Sequence, residues 1–323
     1  MAIISTRELT KKFGKLTAVD SLDLDIEQGE VFGLLGPNGA GKTTTISMLA
    51  TLLKPTSGSA SVNGFDVASQ PSQVRKSIGI VFQEPSVDDL LTGKENLEMH
   101  GRLYSMPALL AKKRIPEVLE LVGLTDRQND LVRTYSGGMR RRLEIARGMM
   151  HTPKVLFLDE PTLGLDPQTR EHIWKYIATL VKEQNITVIL TTHYMEEADL
   201  LCSRIGIIDF GKLVADDTPR KLKHEVGGDV VEIKQKNFSM AKLKGLKFVK
   251  SVKKEDSSYF LAVEDAHRNL QKLLCKIGPI ESVEVHEASL QDVFLKYTGR
   301  KYREETGEGG WAERTMAAEA RRD

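Results

Sequence analysis

The chain has 323 residues, of which 40% are hydrophobic and 28% charged. This length suffices for one large domain and one small one, and the composition excludes a wholly disordered chain. Lys and Arg number 46 against 45 Asp and Glu, so the overall basic charge of many nucleic-acid-binding proteins is missing and no nucleic-acid partner is expected.

Membrane and disulfide signals are also missing from the sequence. No apolar stretch approaches the ~18 residues of a spanning helix, and the N-terminal apolar run meets charge at Arg7 and Glu8, too early for a signal peptide. Cys202 and Cys275 lie far apart and match no metal-ligand spacing, which favours reduced thiols. We therefore expect a cytoplasmic protein that reaches a membrane only through a partner.

The chain begins with strands and turns, and a third apolar run at 31–35 leads into a phosphate-binding loop. Strands are predicted at 3–7 and 22–26. The segment after the third run matches G-x-x-x-x-G-K-[ST] and precedes a helical pattern; the residues predicted to bind nucleotide there are Gly36, Pro37, Asn38, Gly39, Ala40, Gly41, Lys42, Thr43 and Thr44. Lys42 should reach the β- and γ-phosphates and Thr43 should place its hydroxyl on Mg²⁺. The alternative, a glycine-rich turn that carries a lysine, does not explain the strand–loop–helix context.

The middle of the chain changes from strand to helix patterns. Residues 58–64 and 77–83 read as strands, and apolar residues from 94 to about 123 recur at helical spacing. This helical segment looks like an insertion into an α/β core, extending from about residue 84 to 150.

Two apolar runs, 155–158 and 186–190, suit strands buried on both faces of a parallel sheet. Helical patterns at 169–182 and 195–201 alternate with them, as in a doubly wound α/β fold. The first run ends in Asp159 and Glu160. Asp159 can hold Mg²⁺, usually through a water, and Glu160 can deprotonate a water for attack on the γ-phosphate. Alone, these acids would more simply mark a strand that exits to solvent; the phosphate loop favours the catalytic interpretation.

A composition shift near residues 216–219 predicts a second domain over 218–300. Short strand patterns at 230–234, 259–263 and 280–285 accompany helical patterns at 267–277 and 290–297, which indicates an α+β domain with helices on one face of its sheet. The charged, glycine-rich residues 301–323 are expected to form a mobile tail.

Ser136, Gly137 and Gly138 open a helical run and predict a second anion-binding helix start. Lying shortly before the Asp159 strand, they resemble the signature motif of ABC-type ATPases, although Tyr135 and Met139 replace the commonest leucine and glutamine at its ends. Further family elements follow from the resemblance: Gln83 as the Q-loop glutamine, Asp166 in the D-loop, His193 as the switch histidine and Phe13 as the aromatic residue that stacks on adenine. Taken alone, Gln83 or His193 would more often be a helix cap or a strand-end residue, and Phe13 a half-buried strand aromatic.

The resemblance implies the P-loop fold of ABC type over residues 1–217, with a parallel core sheet, an antiparallel β subdomain and a helical subdomain. It also implies ATP and Mg²⁺ as cofactors, with Thr43, Gln83 and Asp159 around the metal and Glu160, His193 and Gln83 in catalysis. Residues 288–299 are similar to the closing helix of daunorubicin-resistance-type exporter ATPases.

This family works with partners. The resemblance implies a homodimer or pseudo-dimer in which each ATP lies between the phosphate loop of one subunit and Ser136–Gly138 of the other. An integral membrane permease would hold the subunits on the cytoplasmic face and export a drug-, lipid- or polysaccharide-like substrate. The alternative is a soluble ABC ATPase without a permease, whose C-terminal domain senses a ligand.

Overall fold

The computed structural model describes residues 2–84, 86–192, 194–225, 229–235, 243, 245–255, 258–286 and 288–299. These residues form two compact units, one ending at Asp216 and the other beginning at Asp217. The predictions made for His193 and for residues 301–323 lie outside the described residues. Within the described ranges, no helix combines the length and apolar character that crossing a bilayer requires.

The first unit contains two sheets and the helices between their strands. Its elements in chain order are β1 (Ala2–Phe13), β2 (Leu16–Glu27), β3 (Val31–Leu35), α1 (Lys42–Leu49), β4 (Ser57–Val62), β5 (Phe65–Asp66), α2 (Pro71–Ser77), β6 (Ile78–Val81), α3 (Gly93–Leu103), α4 (Ala108–Leu121), α5 (Gly137–Gly148), β7 (Val155–Asp159), α6 (Pro167–Gln184), β8 (Thr187–Thr191), α7 (Met195–Leu201), β9 (Arg204–Asp209) and β10 (Lys212–Asp217).

The larger sheet has the strand order β10-β9-β3-β8-β7-β6, and the pairs from β9 to β6 are parallel. Every residue of β3, β7 and β8 is buried, as expected for strands covered on both faces. Because parallel strands end at the same edge, the residues that follow β3, β7 and β8 are brought together there.

The smaller sheet is antiparallel, with the order β2-β1-β4-β5. It shares one hydrophobic core with the larger sheet, since Ile4 and Leu22 belong to the same buried cluster as Phe32 and Phe157. The hairpin of β1 and β2 is thereby fixed against the strand that leads into the phosphate loop.

The stretch predicted to be helical over 94–123 divides into two helices, α3 and α4. Helix α3 starts at a capping box formed by Thr92 and Glu95 and ends before Tyr104. Ser105 then adopts a left-handed conformation (φ 52°), and Pro107 precedes α4. The strand predicted at 77–83 also starts later than expected, because Ser77 is the last residue of α2.

The second unit is a four-stranded sheet with helices, as the fold class predicted. Its elements are α8 (Pro219–Glu225), β11 (Asp229–Lys234), β12 (Val249–Glu255), β13 (Ser258–Val263), α9 (Ala266–Ile277), β14 (Ser282–His286) and α10 (Leu290–Thr298), and the strand order is β12-β13-β11-β14. Helix α9 packs its apolar stripe on one face, where Leu273 and Ile277 meet Val231, Ile233 and Leu261. Strand β12 was not predicted.

Candidate functional site

The loop between β3 and α1 approaches neighbouring backbone so closely that glycine is required at two positions. A Cβ on Gly36 would collide with the carbonyl oxygen of Ile208, and one on Gly41 with that of Ala18. Gly41 also has φ 109° and is the N-cap of α1, where it has no side chain to cap the helix. The first amides of α1 are therefore available to an anion, whose charge the helix start favours.

Lys42 is buried beneath this loop, with 7% of its surface exposed. Its Nζ donates hydrogen bonds to the carbonyl oxygens of Gly36 at 2.7 Å and Pro37 at 3.2 Å. Burial lowers the pKa of the ammonium, while Glu160 and Asp159 act in the opposite direction. The loop thus holds a poorly hydrated cation, which an anion bound to the loop would stabilise.

Asp159 ends β7 and lies beside Thr43, the second residue of α1. The Thr43 hydroxyl donates to Asp159 Oδ2 at 3.4 Å, and the Thr191 hydroxyl donates to Oδ1 at 2.5 Å. Burial raises the pKa of Asp159, and the neighbouring Glu160 raises it further. A buried carboxylate next to a hydroxyl provides the hard oxygen ligands that Mg²⁺ prefers, and a cation there would offset the cost of burying the charge.

Glu160 follows at the strand's end in a left-handed conformation (φ 50°). Its backbone amide donates to the carbonyl oxygen of Thr191 at 3.2 Å and to the Thr191 hydroxyl at 3.1 Å. A non-glycine residue with such a φ is uncommon and clusters at functional sites. The Glu160 carboxylate is close enough for its charge to affect the pKa of Lys42 and of Asp159.

Gln83 lies just after β6, with an exposed side chain. The carbonyl oxygen of the preceding Phe82 accepts a hydrogen bond from Arg141 at 2.5 Å. Arg141 also donates to the carbonyl oxygens of Asp159 at 2.8 Å and Glu160 at 3.0 Å. Arg141 therefore links the backbone of the loop that contains Gln83, the glutamine loop, to the C-terminal end of β7.

Ser136–Gly138 form the start of α5, as the sequence predicted. The Ser136 hydroxyl caps the helix by accepting from the amide of Met139 at 3.3 Å, and both Ser136 and Gly137 are exposed. A Cβ on Gly138 would collide with Thr169 of α6. Close packing of α5 on α6 thus requires glycine at this position, while the first part of the motif faces solvent.

Asp166 is the N-cap of α6 and lies near the same place. Its carboxylate accepts from the amide of Thr169 at 3.0 Å and from the Thr169 hydroxyl at 2.6 Å, and these bonds lower its pKa. Because Thr169 also packs against Gly138, Asp166 is held close to the start of α5. Ser136–Gly138 and Asp166 form one cluster, whereas Lys42, Thr43, Asp159 and Glu160 form another.

Phe13 is the last residue of β1 and pairs with Leu16 across the hairpin. Lys11 Nζ lies 5.1 Å from the centre of its ring. The same hairpin includes Ala18, whose carbonyl oxygen contacts Gly41. Phe13 is therefore placed on the element that supports the phosphate loop.

Sequence reasoning missed three polar residues that organise these loops: Thr191, Arg141 and Glu197. Glu197 is fully buried and accepts hydrogen bonds from the Thr162 hydroxyl at 3.1 Å, from the Trp174 indole at 2.9 Å and from the Thr192 hydroxyl. The available signal was a charged residue within a helical pattern for Arg141 and Glu197, and for Thr191 a hydroxyl at the end of an apolar strand. Which loops they would contact could not be read from the sequence, because those contacts are distant along the chain.

Comparison with known proteins identifies both units. The family model described as "ABC transporter" matches residues 19–163, and that described as "ATP-binding protein DrrA1-3-like, C-terminal domain" matches residues 218–298. The daunorubicin/doxorubicin resistance ATP-binding protein DrrA of Streptomyces peucetius is 42% identical over 92% of this chain and 92% of its own. The linearmycin resistance ATP-binding protein LnrL of Bacillus subtilis is 39% identical over 94% of this chain and 100% of its own.

Solved structures agree with these relatives. A dimeric ATP-binding cassette in a post-hydrolysis state, bound to ADP and Pi, has a TM-score of 0.60 at 28% identity and covers 67% of this chain and 98% of its own. CbiO1 of Clostridium perfringens, part of an ABC transporter complex, has a TM-score of 0.65 at 29% identity and covers 69% of this chain and 91% of its own. The motifs, the fold and the nearly full-length matches together show that this chain belongs to the ABC transporter ATPases, among the ATP-binding proteins of the DrrA type.

Proposed function

We propose that this protein is the Mg-ATP-hydrolysing subunit of an exporter whose transport pathway is formed by a separate membrane permease. The observation that carries the proposal is the meeting of Lys42, Thr43, Asp159 and Glu160 at one edge of the parallel sheet. Lys42 neutralises the β- and γ-phosphates, and the loop amides bind their oxygens. Thr43 and Asp159, with Gln83, hold Mg²⁺, which supplies charge neutralisation for the phosphates.

Glu160 is the proposed general base. A carboxylate near the γ-phosphate can orient a water and take its proton as the water attacks in line. His193 and Gln83 would complete the arrangement around the γ-phosphate, and Phe13 would stack on the adenine.

Two copies of the chain, or this chain and a related one, would close head to tail around ATP. The solvent-facing Ser136 and Gly137 and the adjacent Asp166 support this arrangement, because they offer an exposed helix start to a nucleotide held by another subunit. One structural neighbour is described as dimeric with ADP and Pi bound. ATP that binds the closed dimer better than the open one would drive closure, and hydrolysis would release it.

The permease would dock on the helical segment that follows Gln83, on the cytoplasmic face of the membrane. Three leucines there are strongly exposed, namely Leu90 (73%), Leu103 (73%) and Leu109 (85%), and such side chains offer apolar surface to a partner. Relatives are described as resistance or export ATP-binding proteins, including a Nod factor export protein of Ralstonia nicotianae that is 37% identical. We therefore propose a drug-, lipid- or polysaccharide-like substrate.

The variant Glu160→Gln tests this function. The amide keeps the side chain's shape but cannot take up the proton, so turnover should fall about 10²- to 10⁴-fold while Mg-ATP still binds. With the γ-phosphate intact, the variant should form an ATP-dependent dimer on size-exclusion chromatography. Glu171→Gln, which changes an exposed glutamate paired with Lys175 of α6, is the matched control and should behave as wild type. Turnover by Glu160→Gln at the wild-type rate, or no Mg-ATP hydrolysis by the wild type, would contradict the proposal.

A further inference from the structure

Helix α5 carries a line of three charged residues on one face, Arg141, Glu144 and Arg147, spaced i, i+3 and i+6. The side chains of Arg141 and Glu144 are only 9% and 2% exposed, and their ion pair measures 3.0 Å. Burial lowers the pKa of both arginines. A buried ion pair is by itself a poor source of stability, because desolvation offsets much of the attraction. The contacts of this line indicate a different role.

Arg141 binds the backbone on both sides of the proposed catalytic centre. Its guanidinium donates to the carbonyl oxygens of Asp159, Glu160 and Pro161 at 2.8, 3.0 and 2.8 Å, and to that of Phe82 at 2.5 Å. The planar fork of arginine can satisfy several acceptors in a fixed geometry, which a lysine ammonium cannot reproduce. One side chain thus fixes the position of the C-terminal end of β7 relative to Phe82, the residue before Gln83.

Glu144 and Arg147 hold the other end of the glutamine loop. Ser86 donates its backbone amide to Glu144 Oε1 at 2.5 Å, and its carbonyl oxygen accepts from Arg147 at 2.7 Å. Arg147 also contacts the Ser86 hydroxyl. Side chains on the same face of α5 therefore bind the loop that contains Gln83 by hydrogen bonds at Phe82 and at Ser86.

We infer that this charged line is a positioning device, which keeps Glu160 and the glutamine loop in register with the helix that begins at Ser136. Arg141 acts through the backbone, because its guanidinium donates hydrogen bonds to the carbonyl oxygens of Phe82 and Glu160. Any movement of α5 is passed to both at once, because all these contacts are direct hydrogen bonds. The inference rests on the proposed function, since it assigns a task to residues around the same ATP site.

The test replaces Arg141 with methionine, which keeps an unbranched apolar stem but removes the guanidinium and its donors. A small misplacement of reacting groups can lower the rate about 100-fold, so kcat should fall about 10- to 100-fold. The KM for ATP and the Kd for a fluorescent nucleotide should change less than about threefold, because Lys42 and the phosphate loop are untouched. The matched control is Arg142→Met, on the same helix, whose guanidinium binds the carbonyl oxygen of Val122 at 2.9 Å instead. Its kcat should stay near that of the wild type.

Arg141→Met leaves the Glu144 charge buried without its partner, which can destabilise the fold. The double variant Arg141→Met/Glu144→Gln removes that charge and keeps an acceptor for Ser86. Its melting temperature should recover while kcat stays low, and Arg141→Lys should give an intermediate kcat. Wild-type kcat in Arg141→Met, or recovery of kcat together with stability in the double variant, would overturn the positioning role. A wild type without ATPase activity would instead contradict the proposed function.

Discussion

At the scale of single residues, the site buries ionisable side chains, which lowers the stability of the fold. Asp159 is buried beside a second carboxylate, and its pKa is raised by burial and by Glu160. Lys42 is buried with a lowered pKa. Phosphates beside Lys42 and a cation beside Asp159 would favour the charged form of each group, so binding of Mg-ATP should stabilise the fold.

Asp159→Asn should therefore stabilise the apo protein but weaken Mg-dependent nucleotide binding. Because the native pKa of Asp159 is raised, its charged form costs stability above that pKa, and the cost declines as the pH falls through it and the native carboxyl takes up a proton. The variant's advantage in melting temperature at pH 7.5 should shrink accordingly on acidification. With Mg-ATP present, the order of stabilities should reverse. Thermal unfolding across pH, with the exposed Asp126→Asn as control, checks this; an apo variant less stable than wild type at every pH would refute it.

Sequence reasoning at this scale assigned Thr43 and Asp159 to one Mg²⁺, and Lys42 and Glu160 to the phosphates beside it; the structure places Thr43 next to Asp159. Sequence reasoning did not predict the left-handed φ of Glu160, since nothing in a strand ending with two acids signals it. Nor did it predict Arg141 as the residue that binds the exit of β7. Such contacts depend on how α5 packs against the sheet. The roles assigned to these four residues stay predictions, as do those assigned to Gln83, Ser136, Asp166, His193 and Phe13.

At the scale of elements, the helical segment is tied to the core by aromatic and histidine rings. Tyr104, after α3, stacks on His151, after α5, with ring centres 4.0 Å apart, and His100 of α3 lies 4.6 Å from Tyr104. Burial lowers the pKa of His100 from 6.5 to about 3, with smaller contributions from Arg147 and His151. The cluster therefore packs as neutral rings.

This neutral histidine should make the fold sensitive to acid. Below pH 6.5 the unfolded chain takes up a proton at His100 that the native protein does not. The contribution of neutral His100 to the free energy of unfolding is fully present above pH 6.5. It declines by about 1.4 kcal/mol per pH unit as the pH falls toward 3. His100→Gln should show a shallower loss of unfolding free energy between pH 6.5 and 4.5. The exposed His172→Gln should retain the wild-type slope, and an unchanged slope in His100→Gln would contradict the assignment.

Some elements could not be recognised from sequence for physical reasons. Helix α2 contains one apolar residue, Val74, that is fully buried, so it shows little periodicity. Strand β12 lies at the edge of its sheet and is rich in lysine. Lysines protect an edge strand against further pairing, but they also make the strand hard to recognise from the sequence. The break between α3 and α4 depends on the left-handed conformation of Ser105, which the pattern of apolar residues does not predict.

At the scale of the whole molecule, a nucleotide-binding unit is followed by a second unit whose sequence matches a DrrA-type C-terminal domain. The first unit offers two separate clusters for nucleotide: Lys42 with Asp159, and Ser136 with Asp166. We expect these clusters to act on one ATP only when they come from different subunits.

The most direct test mixes two inactive chains that carry different tags, Lys42→Ala and Ser136→Arg. Each homodimer should fail to hydrolyse ATP, because the first lacks the phosphate-binding ammonium and the second blocks closure. In the purified mixed dimer, one site combines the intact phosphate loop of the Ser136→Arg chain with the intact Ser136 of the Lys42→Ala chain. We predict Mg-ATP turnover by the mixed dimer well above that of either homodimer. Turnover no greater than that of the homodimers would show that the two clusters do not meet across subunits, and would contradict the head-to-tail arrangement.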